Sequence, residues 1–337
     1  IKNHSVAIIA NYLLAVKWSK SYNKIVTKKL SINMLSTYNY KNIKWIDLES
    51  PTKEEIRDIM EEYHIHPLVA EELLSPTLRP KVESHSNCVY LILHFPVIYN
   101  MHGKSGSQEI DFIIGKDFLI TTHYEVIDPL HEFSKVFETN SLLDKSDIEI
   151  HAGYLFFYVA KELYRSLSRE LDSINRELED IEEKIFAGGE DKMVKVLSRV
   201  TRDLLNVRQA IYPHKDTLNS FEVTGTTFFG NDFKYHLRSI VGEYYKISNV
   251  LEGHKETVQE LRITNDSLLT TKTNNIIKIL TIMAFITFPL SLIASIFGMN
   301  TQHMPLIGEQ NDFWIIIIFM LGATAMMFIY FKYKKWI

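Results

Sequence analysis

Cysteine is almost missing from this chain of 337 residues: Cys88 stands alone, so no internal disulfide can form and no thiolate zinc site is available. Proline is missing between Pro213 and Pro289, and nothing in that stretch forces a helix to stop. Charge is missing from residues 279–297 and again from 313–331, whereas Lys and Arg are missing from the segment 301–312 that joins them. Also absent are a phosphate-binding glycine loop, a nucleophile motif and a metal-hydrolase helix, which argues against an enzyme. The first 33 residues lack an obvious small-residue cleavage site, and their apolar run at 6–16 is too short to span a membrane.

The two uncharged runs are each long enough to cross a ~30 Å hydrocarbon core as a helix of roughly 20 residues. Before them the chain is polar and helix-rich, with a formal net charge of −4 over the whole length. A large water-exposed region thus carries a small membrane hairpin. Lys272 and Lys278 precede the first run, and Lys332, Lys334 and Lys335 follow the second; the joining segment holds only Glu309 and Asp312 as charged groups. The positive-inside rule therefore predicts a multi-pass protein of the cytoplasmic membrane with both termini cytoplasmic and the short acidic loop outside.

Lys44-Trp45-Ile46-Asp47-Leu48 reads as a strand, and Ser50 or Thr52 as the N-cap of a helix with Glu54 and Glu55 in its first turn. A short helix is expected from Pro67, and strands over 89–95 and 112–122, the latter turning at Gly115-Lys116-Asp117-Phe118. From about residue 149 the pattern is helical: two helices over 150–186 and 190–220 divided by Gly188-Gly189, a break at 225–230, then one helix over about 232–297. The fold class expected is α+β, a mixed sheet with flanking helices, plus a long stalk helix and a two-helix transmembrane hairpin. The division is an α/β domain over 34–148, a helical hairpin over 149–230, a stalk over 231–297 with its span at 277–297, a loop over 298–312, a second span over 313–331 and a basic tail over 332–337.

The stalk carries a three-four seam, Tyr244, Ile247, Leu251, His254, Val258, Leu261, Asn265 and Leu268, the rhythm of helices packing around an axis. Carried onward through Thr271 or Lys272 and Asn274 or Asn275, the phase reaches Ile277, Thr281, Ala284, Phe288, Ser291 and Ser295, a stripe rich in small and hydroxyl-bearing residues. Such a stripe needs burial, either around a pore shared by several copies or by tight packing of the hairpin on itself. The acidic tract from Glu170 to Glu183 reads either as a solvated helix face paired to Arg169, Arg176 and Lys184 or as a field that gathers cations. His64, His66, His85, His94 and His102 lack metal-ligand spacing.

Gly298-Met299-Asn300 closes the first apolar run. With Trp45-Ile46-Asp47-Leu48, Arg79-Pro80-Lys81-Val82-Glu83, Tyr212-Pro213, Asn274 with Lys278, Pro289, Met304-Pro305 and the terminal Lys-Lys-Trp in that order, the chain resembles the CorA-type divalent metal-ion channels from Trp45 onward. Residues 1–33 then read as an extension outside the family, with Met34 as a natural start. The resemblance implies a funnel-shaped homopentamer, so each subunit partners four identical copies, the lipid bilayer and divalent cations, with no nucleic acid. It implies no cofactor and passive passage of hydrated Mg²⁺, with Co²⁺ or Ni²⁺ as further ions.

Carried over, Gly298, Met299 and Asn300 form the selectivity filter, with the Asn300 side-chain oxygen bonding the ion's water shell. Asn274, Ile277, Leu280 or Thr281, Ala284, Phe288, Ser291 and Ser295 line the pore. Phe288 and Ile277 form apolar constrictions, Glu309 and Asp312 sit at the outer mouth, and Lys332, Lys334 and Lys335 form a basic ring. Neutral oxygens suit Mg²⁺, which dehydrates reluctantly. The chain departs from the family at Leu306 and Phe297, and at the cytoplasmic regulatory positions, which map to Asn100 and Ser239 and supply no charge. Regulation by Mg²⁺ would then need Glu243 or the acidic helix. Two other readings stay open: a Zn²⁺ transporter of the ZntB-like branch, and a non-conducting membrane-anchored scaffold.

Overall fold

Alternating β-branched and aromatic residues build a six-stranded sheet in the computed structural model, which describes residues 35–40, 42–97, 106–138, 151–299 and 311–336. The strands are β1 (Leu35–Tyr40), β2 (Ile43–Glu49), β3 (Lys81–Ser84), β4 (Val89–Val97), β5 (Gly106–Ile114) and β6 (Phe118–His123), in spatial order β1-β2-β6-β5-β4-β3. Only β2 and β6 run parallel, in a register that sets Trp45 beside Leu119 and Asp47 beside Thr121. The β5–β6 turn falls at the expected Gly115–Phe118, closed by the Gly115 N–H to the Phe118 carbonyl at 2.9 Å.

Each face of the sheet is covered. Ile46, Leu48, Tyr90, Ile92, Ile113 and Ile120 meet helix α1 (Lys53–Tyr63) and α2 (Pro67–Glu72) through Ile56, Ile59 and Val69. Thr52 caps α1 in a reciprocal box: Glu55 N–H donates to Thr52 Oγ1 (3.3 Å) and Thr52 N–H donates to Glu55 Oε2 (2.8 Å). Pro67 starts α2, where its missing N–H is harmless, and Leu68 N–H donates to His66 Nδ1 at 3.3 Å. On the opposite face Trp45 packs on Phe133 and Phe137 of α3 (Asp128–Glu138), and Phe112 on Phe156 of α4 (Ala152–Phe186).

After α4 come α5 (Glu190–Ile211), α6 (His214–Phe229), a 3-10 turn at Asn231–Phe233, α7 (Lys234–Phe297) and α8 (Asp312–Tyr333). The helix expected over 190–220 is two helices, because Pro213 lacks the N–H that continuation needs. The break expected at 225–230 is narrower: Gly225 lies inside α6, where a Cβ would come within 2.9 Å of the Leu237 side chain, and the helix ends at Gly230. Gly188 turns the chain between α4 and α5 at a φ of 89°, a conformation that favours glycine. Contacts divide the chain into two compact units, one of residues up to Glu177 with Val200–Lys255, the other of Leu178–Arg199 with residues from Glu256 onward.

Most of the stalk seam is buried within the single chain, with His254 and Leu268 half-buried. Tyr244, Ile247, Leu251, Val258, Leu261 and Asn265 are all buried within the single chain. His254 Nε2 lies 3.1 Å from the Leu171 carbonyl of α4, and Glu252 meets Arg208 of α5 at 3.5 Å. In the second unit Lys272 meets Glu190 at the start of α5 (3.2 Å) and Asp191 (3.7 Å). Of Thr271 and Lys272, both exposed, it is Lys272 that reaches α5 and continues the phase of the seam.

Candidate functional site

That one-residue choice of phase decides where the membrane stripe points. Continuing from Lys272 by threes and fours reaches Ile282, which is buried, and then Ile286, Pro289 and Ile293, which are half-buried. Pro289 of this row lines a groove with Met326 and Met327 of α8, and Phe285 beside the row lies 6.4 Å from the buried Phe331 between ring centroids. The stripe singled out from sequence lies one residue round the helix, a rotation of about 100°. Asn274, Leu280, Ser291 and Ser295 are exposed; Ile277 is 54% and Phe288 72% exposed; Thr281 and Ala284 are half-buried. The hairpin does not cover these residues. Thr281 Oγ1 donates to the Ile277 carbonyl at 2.7 Å, which satisfies its proton within the helix and leaves oxygen lone pairs outward.

Both apolar helices are laid bare: only 6% of the most hydrophobic window of α7 is buried, and none of that of α8. The core helix of a water-soluble fold would be covered. At the far end α7 stops at Phe297, with Gly298 N–H still donating to the Ala294 carbonyl (2.9 Å) and Met299 N–H to the Ile296 carbonyl (3.2 Å). A Cβ on Gly298 would press to 3.1 Å from that Ala294 oxygen, so the glycine fits the tight exit. Met299 is 57% exposed. Asn300, Glu309 and the Asp312 side chain lie outside the described residues, as does Asn100. Ser239 is half-buried on α7.

At the other end of the hairpin Lys332, Lys334 and Lys335 are exposed. Lys335 adopts a left-handed backbone (φ 57°), its N–H donates to the Lys332 carbonyl, and Trp336 N–H donates to the Phe331 carbonyl, both at 3.0 Å. These are the two bonds of a Schellman cap, completed by Trp336 stacking on Phe331 at 5.9 Å.

In the first unit, Lys81 of the Arg-Pro-Lys-Val-Glu segment bridges Glu72 (2.6 Å) and Glu83 (2.8 Å) and lies over the Tyr90 ring at 5.3 Å. That segment is a structural tie. The sequence reading passed over Asp111, buried on β5 with neither carboxyl oxygen hydrogen-bonded among the described residues. Burial, and then the neighbouring Glu109 carboxyl, hold the Asp111 pKa well above the usual range. The signal was an acidic residue, Asp111, between Ile110 and the apolar run Phe112-Ile113-Ile114 of a strand. Glu170, read only as part of a charged face, is similarly raised by burial to about 7. Among the described residues no group of three His, Cys, Asp or Glu is placed to hold a metal ion.

Comparison with known families matches residues 40–334 to the one described as "CorA-like Mg2+ transporter protein". This chain belongs to the CorA family. Its members are ion transporters, not enzymes. The cobalt/magnesium transport protein CorA of Thermotoga maritima is 27% identical over 298 residues, covering 87% of this chain and 83% of that protein. Among solved structures, the complete CorA magnesium transporter of Methanocaldococcus jannaschii superposes with a TM-score of 0.77 at 21% identity, covering 90% of this chain and 94% of that one. The ZntB cytoplasmic domain of Vibrio parahaemolyticus shares the fold at a TM-score of 0.57 and 14% identity, covering 72% of this chain and 96% of that domain. The CorA membership sets the mixed sheet, long helix and two candidate membrane helices in one established architecture.

Proposed function

We propose that this chain is one subunit of a homopentameric channel that passes hydrated Mg²⁺, and Co²⁺ or Ni²⁺, passively across the cytoplasmic membrane. Both termini are cytoplasmic in this reading. The observation that carries it is the exposed row Asn274, Ile277, Phe288, Ser291 and Ser295 on a membrane helix whose other side already faces α8. A row of amide and hydroxyl groups in hydrocarbon is costly, and a water-filled axis shared by several copies relieves that cost. Leu280, Thr281 and Ala284 complete the lining. Ile277 and Phe288 narrow it with apolar rings that close by dewetting.

Beyond the helix end at Gly298 and Met299, a ring of Asn300 side chains offers neutral oxygens to an ion that keeps its water. Carboxylates in that ring would bind more tightly and slow release. Glu309 and Asp312 attract cations to the outer mouth, and Lys332, Lys334 and Lys335 surround the cytoplasmic end. Ser239, a hydroxyl where the regulatory site calls for a carboxylate, favours a second reading as a Zn²⁺ transporter.

Flux into proteoliposomes loaded with Mg²⁺- or Zn²⁺-sensitive dyes tests both. Mg²⁺ entry without a proton gradient, lost in Asn300→Ala, is the expected outcome. Zn²⁺ entry that follows an imposed proton gradient would replace it with the second reading. Flux of neither ion would leave a membrane-anchored scaffold.

A further inference from the structure

Between α7 and α8, at the lysine-rich end of the hairpin, the second unit encloses a groove of about 500 Å³. Its walls are Phe285, Pro289, Met326 and Met327, and Lys334 and Trp336 stand at its end. The walls are bulky and soft. Helices that pack on one another in a bilayer meet through small residues, and none lines this groove. Methionine's flexible thioether instead adapts to an irregular, mobile chain.

The mouth is built with unusual care. Trp336 is turned back over Phe331 by the Schellman cap, at the expense of a left-handed lysine. A non-glycine residue is disfavoured in that conformation, which the cap and the aromatic stack offset. Lys334 and Trp336, the lining residues that carry an ammonium and an indole N–H, thus join an otherwise mostly apolar trough, with Lys332 and Lys335 nearby in sequence. An apolar trough closed by cations is complementary to an acyl chain ending in a phosphate. A second copy of this chain would bring the same lysines to the same level and meet them with like charge.

The geometry points to a binding site for an anionic phospholipid, its acyl chain along Phe285, Pro289, Met326 and Met327 and its phosphate at Lys334 and Trp336. It rests on the membrane-spanning part of the reading above and needs neither conduction nor a given stoichiometry. Basic pockets between membrane helices take lipid headgroups in this way.

The full chain is reconstituted in phosphatidylcholine vesicles doped with a minor fraction of dibrominated phosphatidylglycerol or dibrominated phosphatidylcholine. Quenching of Trp336 is read as the difference between wild type and Trp336→Phe. We expect about fivefold preference for the phosphatidylglycerol probe, the enrichment that one lysine near an anionic charge supplies. Lys334→Gln should bring the preference close to unity. Met326→Trp, which fills the trough without touching a charge and is read against the same variant carrying Trp336→Phe so that the added indole cancels, should abolish selective quenching while the chain still folds. Equal quenching by the two probes overturns the proposal. So does Trp336 that neither probe reaches while Trp314 is quenched, which would mean that another copy fills the trough. Mg²⁺ entry is recorded in the same vesicles, so lipid selectivity without flux overturns the channel reading alone.

Discussion

Asp111 and His214 are both buried in the first unit, and they oppose each other in pH. Asp111 holds its proton more tightly folded than unfolded, because burial and Glu109 raise its pKa. Its contribution to stability is therefore full below the unfolded value of about 4 and is lost as pH rises through the folded one. Asp111→Asn should raise the thermal midpoint by a few degrees at pH 8 and much less at pH 5; a gap that does not widen with pH counts against this account. His214 is lowered by burial to about 3, so it is neutral when folded. Its contribution is present above the unfolded value of about 6.5 and is lost as pH falls toward the folded one. Its ring joins three elements: Tyr164 Oη at 2.7 Å from Nδ1, and the His94 carbonyl at 2.9 Å from Nε2. Tyr164→Phe leaves that Nδ1 without a partner, and a loss of about 1–3 kcal/mol should appear in a denaturant midpoint. Of this network the sequence offered only Tyr212-Pro213 as a piece of the family pattern, not the helix break there that delivers His214. Partners 50 and 120 residues away carry no local pattern.

At the level of elements, periodicity did well where one face is apolar and the other wet. β2, the β5–β6 hairpin, the α1 cap and the α4 and α5 turn at Gly188 were all legible. β1 and β3 were not, since edge strands such as Leu35–Tyr40 and Lys81–Ser84 carry mostly polar residues and are held by their neighbours. In α7 the spacing alone left two phases open, and the Lys272 contact with Glu190 separates them. The same seam holds Asn265, buried with its Oδ1 unpartnered among the described residues. Asn265→Leu should stabilise the stalk by about 1–2 kcal/mol, the scale of an unmet buried polar group. A polar seam residue also fixes register, so the variant should show broader or additional species in native gels. A variant no more stable than wild type would mean that water or another copy satisfies the amide.

For the whole molecule, the arrangement of copies is what one chain's sequence states least directly, because an interface is a property of two surfaces. Thiol chemistry reads it out. Cys88 is fully buried, and burial pushes its thiol up to about 11, so it stays silent toward thiol reagents. In membranes, Ser295→Cys should give covalent dimers with a short bis-thiol crosslinker, whereas Ile282→Cys, on the row that faces α8, should give none. The opposite result would place the α8-facing row at the interface between copies. The offset between those two rows has one further consequence. Inserting a single residue just after Lys272 would swing everything beyond it by about 100° and advance it by ~1.5 Å. In an assembly every copy would swing together, Thr281 moving to the place of Ile282 that faces α8, and Leu280 and Met283 taking the places of Thr281 and Ala284. Seven inserted residues return the phase to within about 20°. Length in this stalk is therefore quantised: a two-turn insertion lengthens the conduit, and a one-residue insertion turns its lining outward.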